Sequence, residues 1–277
     1  MCLMSTNAST YPPLRRLHRS AMGWLTSWWR LLQFAALIVS RAFTPSTYAS
    51  PRRRWIAHHL VVATAPNLLW FSVLSALISL VIIRIVVVTS LSYGLSRYAL
   101  EMVVRVLVLE LIPLTAALFV ALRSTLPAGV EFAQMRLAAA SASGVPTRLD
   151  ARDALQTEFF PRAAAGVFAV WLLAAVSCVL TLVLAYLSIY GFTPWALQSY
   201  TRVVGHIFNP AVSMILALKI LFFSFAVGVI PLASSYYHGA ANPLFGRAHG
   251  THGLADMVRM FSVILLIEAA SLMGNYY

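Results

Sequence analysis

The chain has 277 residues, of which 60% are hydrophobic and only 10% are charged, and its formal net charge is +12. A soluble domain has about 45–50% apolar and about 25% charged residues. This composition therefore excludes a water-soluble globular protein and predicts an integral membrane protein. The charge does not indicate nucleic-acid binding, because the basic residues lie in loops between apolar segments and not on one soluble face. The two cysteines, Cys2 and Cys178, provide neither a disulfide framework nor metal-ligand spacing.

The first apolar segment, Ser20 to Phe43, predicts an amphipathic helix that lies in the membrane interface. Its polar residues recur at helical spacing, and tryptophans and small apolar residues occupy the other side. The alternative is a short sixth span, which the insertion cost of Arg30 and Gln33 disfavours. We therefore assign residues 1–59 to a basic, cytoplasmic N-terminal region that contains this interfacial helix.

Five later segments are long and apolar enough to cross a bilayer, for which about 20 residues are needed. The predicted spans are Asn67 to Leu91, Met102 to Leu122, Ala163 to Tyr190, Ala211 to Tyr237 and Met260 to Gly274. We expect the last of them to begin a few residues earlier, near Asp256. The prediction is an all-α integral membrane fold, in which residues 60–277 form one five-span domain.

The basic residues outside the spans predict the orientation of the chain. Fifteen lie in the N-terminal region and in loops 123–162 and 238–259, whereas loops 92–99 and 191–210 hold two. The positive-inside rule therefore places the N-terminus in the cytoplasm and the C-terminus outside.

The cytoplasmic loop 123–162 has the pattern of two short helices. Ala128 to Ala142 is rich in helix formers, Gly144–Val145–Pro146 breaks the helix, and Thr147 with Asp150 resembles a capping box for the second helix. Such a loop suits the docking of a soluble partner; a covering loop without a partner is the alternative.

The sequence contains none of the common catalytic motifs that we searched for. It has no Walker-type phosphate loop, no His-Glu-x-x-His pair and no Gly-x-Ser-x-Gly frame, so we do not expect the chain to hydrolyse nucleotide alone. His238, His249 and His252 would permit a metal cluster, but no Cys, Asp or Glu completes the set. We therefore favour a flexible surface loop there and predict neither a metal nor a cofactor.

Ionisable residues at membrane depth are the best candidates for a functional site. Each costs at least about 2.5–3.5 kcal/mol near the bilayer centre, so such side chains tend to face a cavity or a partner. Four residues qualify: Arg84, Glu110, Lys219 and Glu268. Either cation could pair with either glutamate for structure, or a cavity carrying both cations could bind an anionic head group such as a phosphate. By contrast, Glu101 and Arg105 should form a surface pair near a helix end.

From about Val106 onward the chain resembles the MlaE/YrbE permease family, the membrane subunits of ATP-driven lipid transporters that work with MCE proteins. The resemblance is carried by Leu109-Glu110-Leu111-Ile112-Pro113, by the alanine-rich run and arginine at 116–124, by Val130-Glu131-Phe132 with Met135-Arg136, by Phe160-Pro161-Arg162 and by Leu218-Lys219. Two departures from the family pattern stand out. Ile112 replaces a glycine, and Ala139–Ala140 replaces a Glu-Gln pair.

The resemblance implies a permease subunit that moves lipid, most simply phospholipid. It implies that Glu110 and Lys219 face a lipid-binding cavity, and to these we add Arg84 by our own inference. It also implies that a separate subunit hydrolyses ATP. A non-transporting scaffold that anchors an MCE and ATPase assembly is the main alternative. A membrane-embedded lipid enzyme is less favoured, because no nucleophile–base pair is evident.

The resemblance also implies where the partners bind. The coupling region that meets the ABC ATPase would include Glu131, Arg136, Ala139 and Ala140. The other implied partners are an MCE-domain protein and a second permease copy or a paralogue, which would make a dimer. The implied location is the bacterial inner membrane.

Overall fold

A computed structural model describes residues 28–40, 50–95, 98–131, 159–238 and 249–276, together with positions 26 and 134. These residues form helices and a few short turns, and no strand occurs among them. Five of the helices are long and apolar enough to cross a membrane, and a shorter apolar helix precedes them. The all-α prediction with five spans after an N-terminal helix is therefore confirmed.

The helices are labelled here in chain order. They are α1 (Trp28–Ser40), α2 (Ser50–Ser92), α3 (Ala99–Glu131), α4 (Phe160–Tyr190), α5 (Leu197–Ile207), α6 (Pro210–His238) and α7 (His249–Tyr276). The membrane-crossing parts are Thr64–Ser92, Ala99–Glu131, Phe160–Tyr190, Pro210–Ala233 and Leu254–Gly274. The limits of these parts agree with the predicted spans within four residues, and the last span begins near Asp256 as expected; the exception is α3, which extends beyond Leu122 to Glu131.

Two helices extend into segments that we predicted as loops. Helix α3 continues through Arg123 to Glu131, because Arg123 donates a hydrogen bond from Nε to Asn67 Oδ1 at 3.0 Å and so finds a polar partner within the bundle. Helix α7 begins at His249, where we expected a flexible loop, and Asp256 pairs with Arg259 at 3.6 Å in its early turns. Hydropathy could not predict either extension, since helices can continue beyond the apolar layer.

Helix α4 is the central element of the bundle. It packs along α2, α3 and α6. The main core cluster draws on all of these helices, with Phe71, Val120, Leu173 and Phe223 among its buried members. A buried hydrogen bond of 2.9 Å between Ser79 Oγ and Thr181 Oγ1 links α2 to α4 and satisfies both hydroxyls in the apolar interior.

Helix α1 lies against the end of the bundle at which α4 begins. Phe34 and Ile38 are buried against Phe159 and Leu232, and the rings of Phe34 and Phe159 meet edge to face at 6.2 Å. The buried side of α1 is thus neither of the two faces that we predicted. It lies between the polar face and the tryptophan-rich face. The described helix is about 20 Å long and so too short for the roughly 30 Å hydrocarbon layer. Its position in the interface plane stays a prediction.

Helix α5 covers the opposite end of the bundle and was not predicted. Tyr200 and Ile207 face inward, and the Tyr200 hydroxyl donates to the Leu182 carbonyl at 2.8 Å. Burial, with nearby Tyr190 as a smaller cause, raises the pKa of Tyr200 to about 12, so this hydroxyl stays a proton donor at neutral pH. After α5, Asn209 Oδ1 accepts the Ala211 N–H at 2.7 Å and caps the start of α6.

Glycines permit close helix contacts in the half of the bundle near α1. A Cβ atom on Gly228 of α6 would lie 3.1 Å from the Ala163 carbonyl oxygen, and one on Gly166 of α4 would lie 3.0 Å from a methyl carbon of Thr125. A Cβ atom on Gly129 of α3 would lie 3.0 Å from the backbone oxygen of Pro231. Small residues at such contacts let helix backbones approach each other in lipid.

We expect Gly228→Val to destabilise the bundle, because the added side chain must displace the backbone of α4. Overpacking of this kind costs about 1–3 kcal/mol. Gly205→Val is a matched control, since Gly205 is also helical but has open space around its Cβ position. The melting temperature of the purified protein in detergent should fall for the first variant only. Equal melting temperatures for the two variants would contradict the close contact.

Candidate functional site

Helix α3 is irregular at two places, and each is followed by a proline. The segments Val104–Leu111 and Ala121–Thr125 have π-helical hydrogen bonding, in which an N–H bonds the carbonyl five residues earlier. Pro113 and Pro127 follow these segments by two residues. Proline has no N–H and its ring clashes with the preceding turn, so a widened turn is one way for a helix to continue through it. Such π segments are frequent at functional sites.

Lys219 from α6 donates to a backbone carbonyl in the irregular part of α3. The acceptor is the Leu109 oxygen, at 3.1 Å from Nζ. In a regular helix this carbonyl would accept the N–H of residue 113, which Pro113 lacks. The irregular part of α3 thus offers a backbone acceptor to a lysine on another helix.

Lys219 is the centre of a buried charge cluster that joins three helices. Its Nζ atom forms an ion pair with Glu110 of α3 and lies 2.8 Å from Glu268 Oε2 of α7. The lysine is 2% exposed, and both glutamates are mostly buried. The ring of Phe223, one turn further along α6, lies 5.8 Å from Nζ. The hypothesis of structural pairing is therefore confirmed for Lys219, which pairs with both carboxylates.

Three oxygen-bearing groups surround the ammonium group of Lys219. It donates hydrogen bonds to Glu110 and to the Leu109 carbonyl, and it lies within ion-pair distance of Glu268. A phosphate that bound Lys219 would have to compete with these groups. The role of Glu110 and Lys219 in lipid binding stays a prediction. Glu268, which the sequence suggested only as a pairing partner, completes the cluster.

Arg84 lies apart from this cluster. Its side chain is exposed on α2, and among the described residues no carboxylate pairs with it. It lies eight residues before Ser92, at about 12 Å from the end of the helix. A long arginine can extend its charged group towards the interface over this distance. The structure thus brings together Glu110 and Lys219 but not Arg84, whose part in a lipid site stays a prediction.

The coupling residues are only partly described. Glu131 is exposed and is the last residue in the described part of α3, and its carboxylate lies 3.6 Å from Arg162 at the start of α4. Arg136, Ala139 and Ala140 lie outside the described residues, as does most of the second predicted loop helix.

His238 ends α6 and His249 and His252 lie in the first turn of α7, so the sequence between the helices is shorter than predicted. The predicted surface pair of Glu101 and Arg105 is confirmed at 2.9 Å.

We expect Lys219→Met to destabilise the protein strongly, because it leaves two carboxylates without their cation. Removing one partner of a buried ion pair costs about 3–5 kcal/mol. The control is Arg105→Met in the exposed pair with Glu101, for which at most about 1 kcal/mol is expected.

A third variant separates a lost charge partner from a lost side-chain volume. In the triple variant Lys219→Met, Glu110→Leu and Glu268→Leu no charge remains, so much of the stability should return. The stability of all three proteins is measured by their melting temperatures in detergent. A Lys219→Met protein as stable as Arg105→Met, or a triple variant less stable than Lys219→Met, would contradict the structural role of the cluster.

Comparison with known proteins places the chain in a family. A search of curated proteins gives no match. The family model described as Permease MlaE matches residues 56–273. The match includes all five spans, the charge cluster and the segment between α3 and α4. The chain therefore belongs to the MlaE permease family, and it is a multi-pass membrane permease of the ABC-transporter type.

Proposed function

We propose that this chain is the membrane subunit of an ATP-driven transporter that moves phospholipid between the inner membrane and an MCE-type carrier. A separate ABC ATPase would dock on the segment between α3 and α4 from the cytoplasm, and a second permease copy or a paralogue would complete a dimer. The chain itself supplies no catalytic residue. Its N-terminus would lie in the cytoplasm and its C-terminus in the periplasm.

The charge cluster of Lys219, Glu110 and Glu268 is the observation that carries this proposal. Three ionisable groups at membrane depth are unusual in a span, because each costs at least about 2.5–3.5 kcal/mol. Retained charges in a span are typical of a pathway for a polar substrate. A phospholipid head group is such a substrate, and its anionic phosphate is complementary to a lysine.

The geometry of the cluster suggests how it would act. Lys219 is surrounded by two carboxylates and the Leu109 carbonyl in this arrangement. A phosphate that entered would take the place of one carboxylate, and the return of that carboxylate would release the phosphate. The exchange would couple lipid binding to the relative positions of α3, α6 and α7, since each helix contributes one charged group. Movement of these helices is what an ATPase would have to drive.

The ion pairs of Lys219 also favour a second candidate function. If Lys219 never leaves its carboxylates, the cluster only holds three helices together. The chain would then be a scaffold that anchors an MCE protein and an ATPase without moving lipid itself. The two functions differ in one observable, ATP-dependent lipid transfer by the assembled complex.

We expect proteoliposomes containing the chain and its co-purified partners to transfer a fluorescent phospholipid to the carrier when ATP is added. Glu110→Gln should lower this transfer at least tenfold while the complex still assembles, because the amide keeps the size of the carboxylate but not its charge. Glu101→Gln is the matched control in the same helix. An assembled wild-type complex without ATP-dependent transfer would support the scaffold, and equal transfer by the two variants would remove the cluster from the lipid pathway.

The coupling segment gives an independent prediction. Ala139→Pro should break the hydrogen bonding of the predicted loop helix and uncouple ATP hydrolysis from transport. Ala139→Ser is the control, since serine removes no backbone donor. The measurement is lipid-stimulated ATPase activity of the assembled complex. If the proline variant keeps this stimulation, the ATPase contact lies elsewhere.

A further inference from the structure

The charges of the Lys219 cluster do not balance. One ammonium group contacts two carboxyl groups, those of Glu110 and Glu268, and the three side chains are 1%, 13% and 13% exposed. If both glutamates were ionised, the cluster would carry an excess of one negative charge inside segments that cross the membrane. Such an excess is costly, because hydrocarbon does not solvate it. The cluster therefore lacks one positive charge.

The described parts of α3 and α7 supply no further cation beside the cluster. On α3, Arg105 lies at the surface and pairs with Glu101 at 2.9 Å. On α7, Arg259 lies nine residues before Glu268, at about 14 Å along the helix. It pairs there with Asp256. The charges of both helices outside the cluster are thus paired with each other.

Helix α4, which packs against α3 and α6, contributes no charge either. Its one charged residue is Arg162 at its start, and its other titratable groups are Cys178 and two tyrosines near its end. The Cys178 thiol lies 3.9 Å from the Val108 carbonyl and donates to it, so this group is neutral. The missing positive charge at the cluster must therefore come from outside the chain, and a proton is the smallest group that supplies it.

The contacts favour Glu268 as the residue that carries this proton. Glu110 accepts a hydrogen bond from Lys219. Glu268 Oε2 lies 2.8 Å from Nζ, but no described group donates a well-directed hydrogen bond to this buried oxygen. Because both Oε2 atoms contact one nitrogen, they lie at most about 6 Å apart, and the two carboxyl groups are within hydrogen-bond reach of each other. Two carboxyl groups this close do not both ionise readily.

We propose that Glu268 is a proton-binding site, which holds one proton while it contacts Glu110 and Lys219. The proton comes from water, and it returns to water when α7 moves away from α6 and the carboxylate becomes solvated. Only the O–H bond of the carboxyl group forms and breaks. The site goes beyond the proposed function, because the purified chain would bind the proton without ATP, lipid or a partner protein. In a transporter, any movement that opens the cluster would also release a proton.

The test is the infrared spectrum of the full, delipidated chain in a detergent without ester or acid groups. At about pH 7 solvated carboxyl groups are ionised, so the carbonyl stretch of a protonated carboxyl group, which shifts in heavy water, reports a buried one. The wild-type protein should show this band, and Glu268→Gln should abolish it. Glu110→Gln should abolish it too, because Glu268 would then become the counterion of Lys219 and ionise.

The matched control is Glu101→Gln, which removes a carboxylate of the exposed pair on α3 and should leave the band unchanged. A wild-type spectrum without the band would overturn the proposal. The same conclusion would follow if the difference spectrum between the wild-type protein and Glu268→Gln lacked it. Neither measurement requires transport, so the proposed function can fail while this site stands, and the reverse also holds.

The pH dependence of stability gives a second test. The closed cluster binds a proton that an unfolded chain, with its glutamates in water, would not hold, so unfolding releases it. The melting temperature of the wild-type protein should therefore fall as the pH rises from about 6 to about 8. Glu268→Gln should show a smaller fall, because its amide does not titrate. Histidines also titrate in this range, but they are the same in both proteins. Parallel pH dependences would contradict proton binding by Glu268.

Discussion

The position of one ammonium group determines how the helices of this protein can pack. Lys219 lies in a segment that crosses the membrane, where an unpaired charge would cost several kcal/mol. It can remain there only if α3 and α7 bring carboxylates to it, and these carboxylates in turn need the lysine. The lysine and the carboxylates therefore stabilise one another, and this links the three helices. In lipid, helices gain little from apolar contact with each other, so such polar contacts carry more of the specificity.

The same cluster depends on the irregular course of α3. The helix continues through Pro113 with a π-helical segment before it. Within this segment the Leu109 carbonyl accepts a hydrogen bond from a lysine on another helix. The irregular course of α3 therefore coincides with its polar contact to α6.

The sequence allowed the spans to be predicted because apolar runs of this length have one stable solution in a bilayer, the helix. The end of α3 and the start of α7 were not predicted, because outside the bilayer a helix is not the one stable solution. Beyond the hydrocarbon layer, a helix continues or stops according to partners such as Asn67 for Arg123, and these partners are distant in sequence. Likewise Phe34 and Ile38 were not recognised as buried, because periodicity shows that a helix has faces but not which face meets Phe159.

For the charged residues too, the sequence predicted one part of the arrangement and the packing of the helices determined the rest. Pairing of Lys219 with a glutamate followed from the energetics of burial, but its contact with both glutamates and a backbone carbonyl required the packing of three helices. Lys219 and Arg84 look alike in sequence, as single cations within apolar runs, whereas Arg123 follows directly after a predicted span. In the structure Lys219 pairs with two carboxylates, Arg84 is exposed on α2, and Arg123 is held by a neutral amide. A neutral partner orients a guanidinium without cancelling its charge.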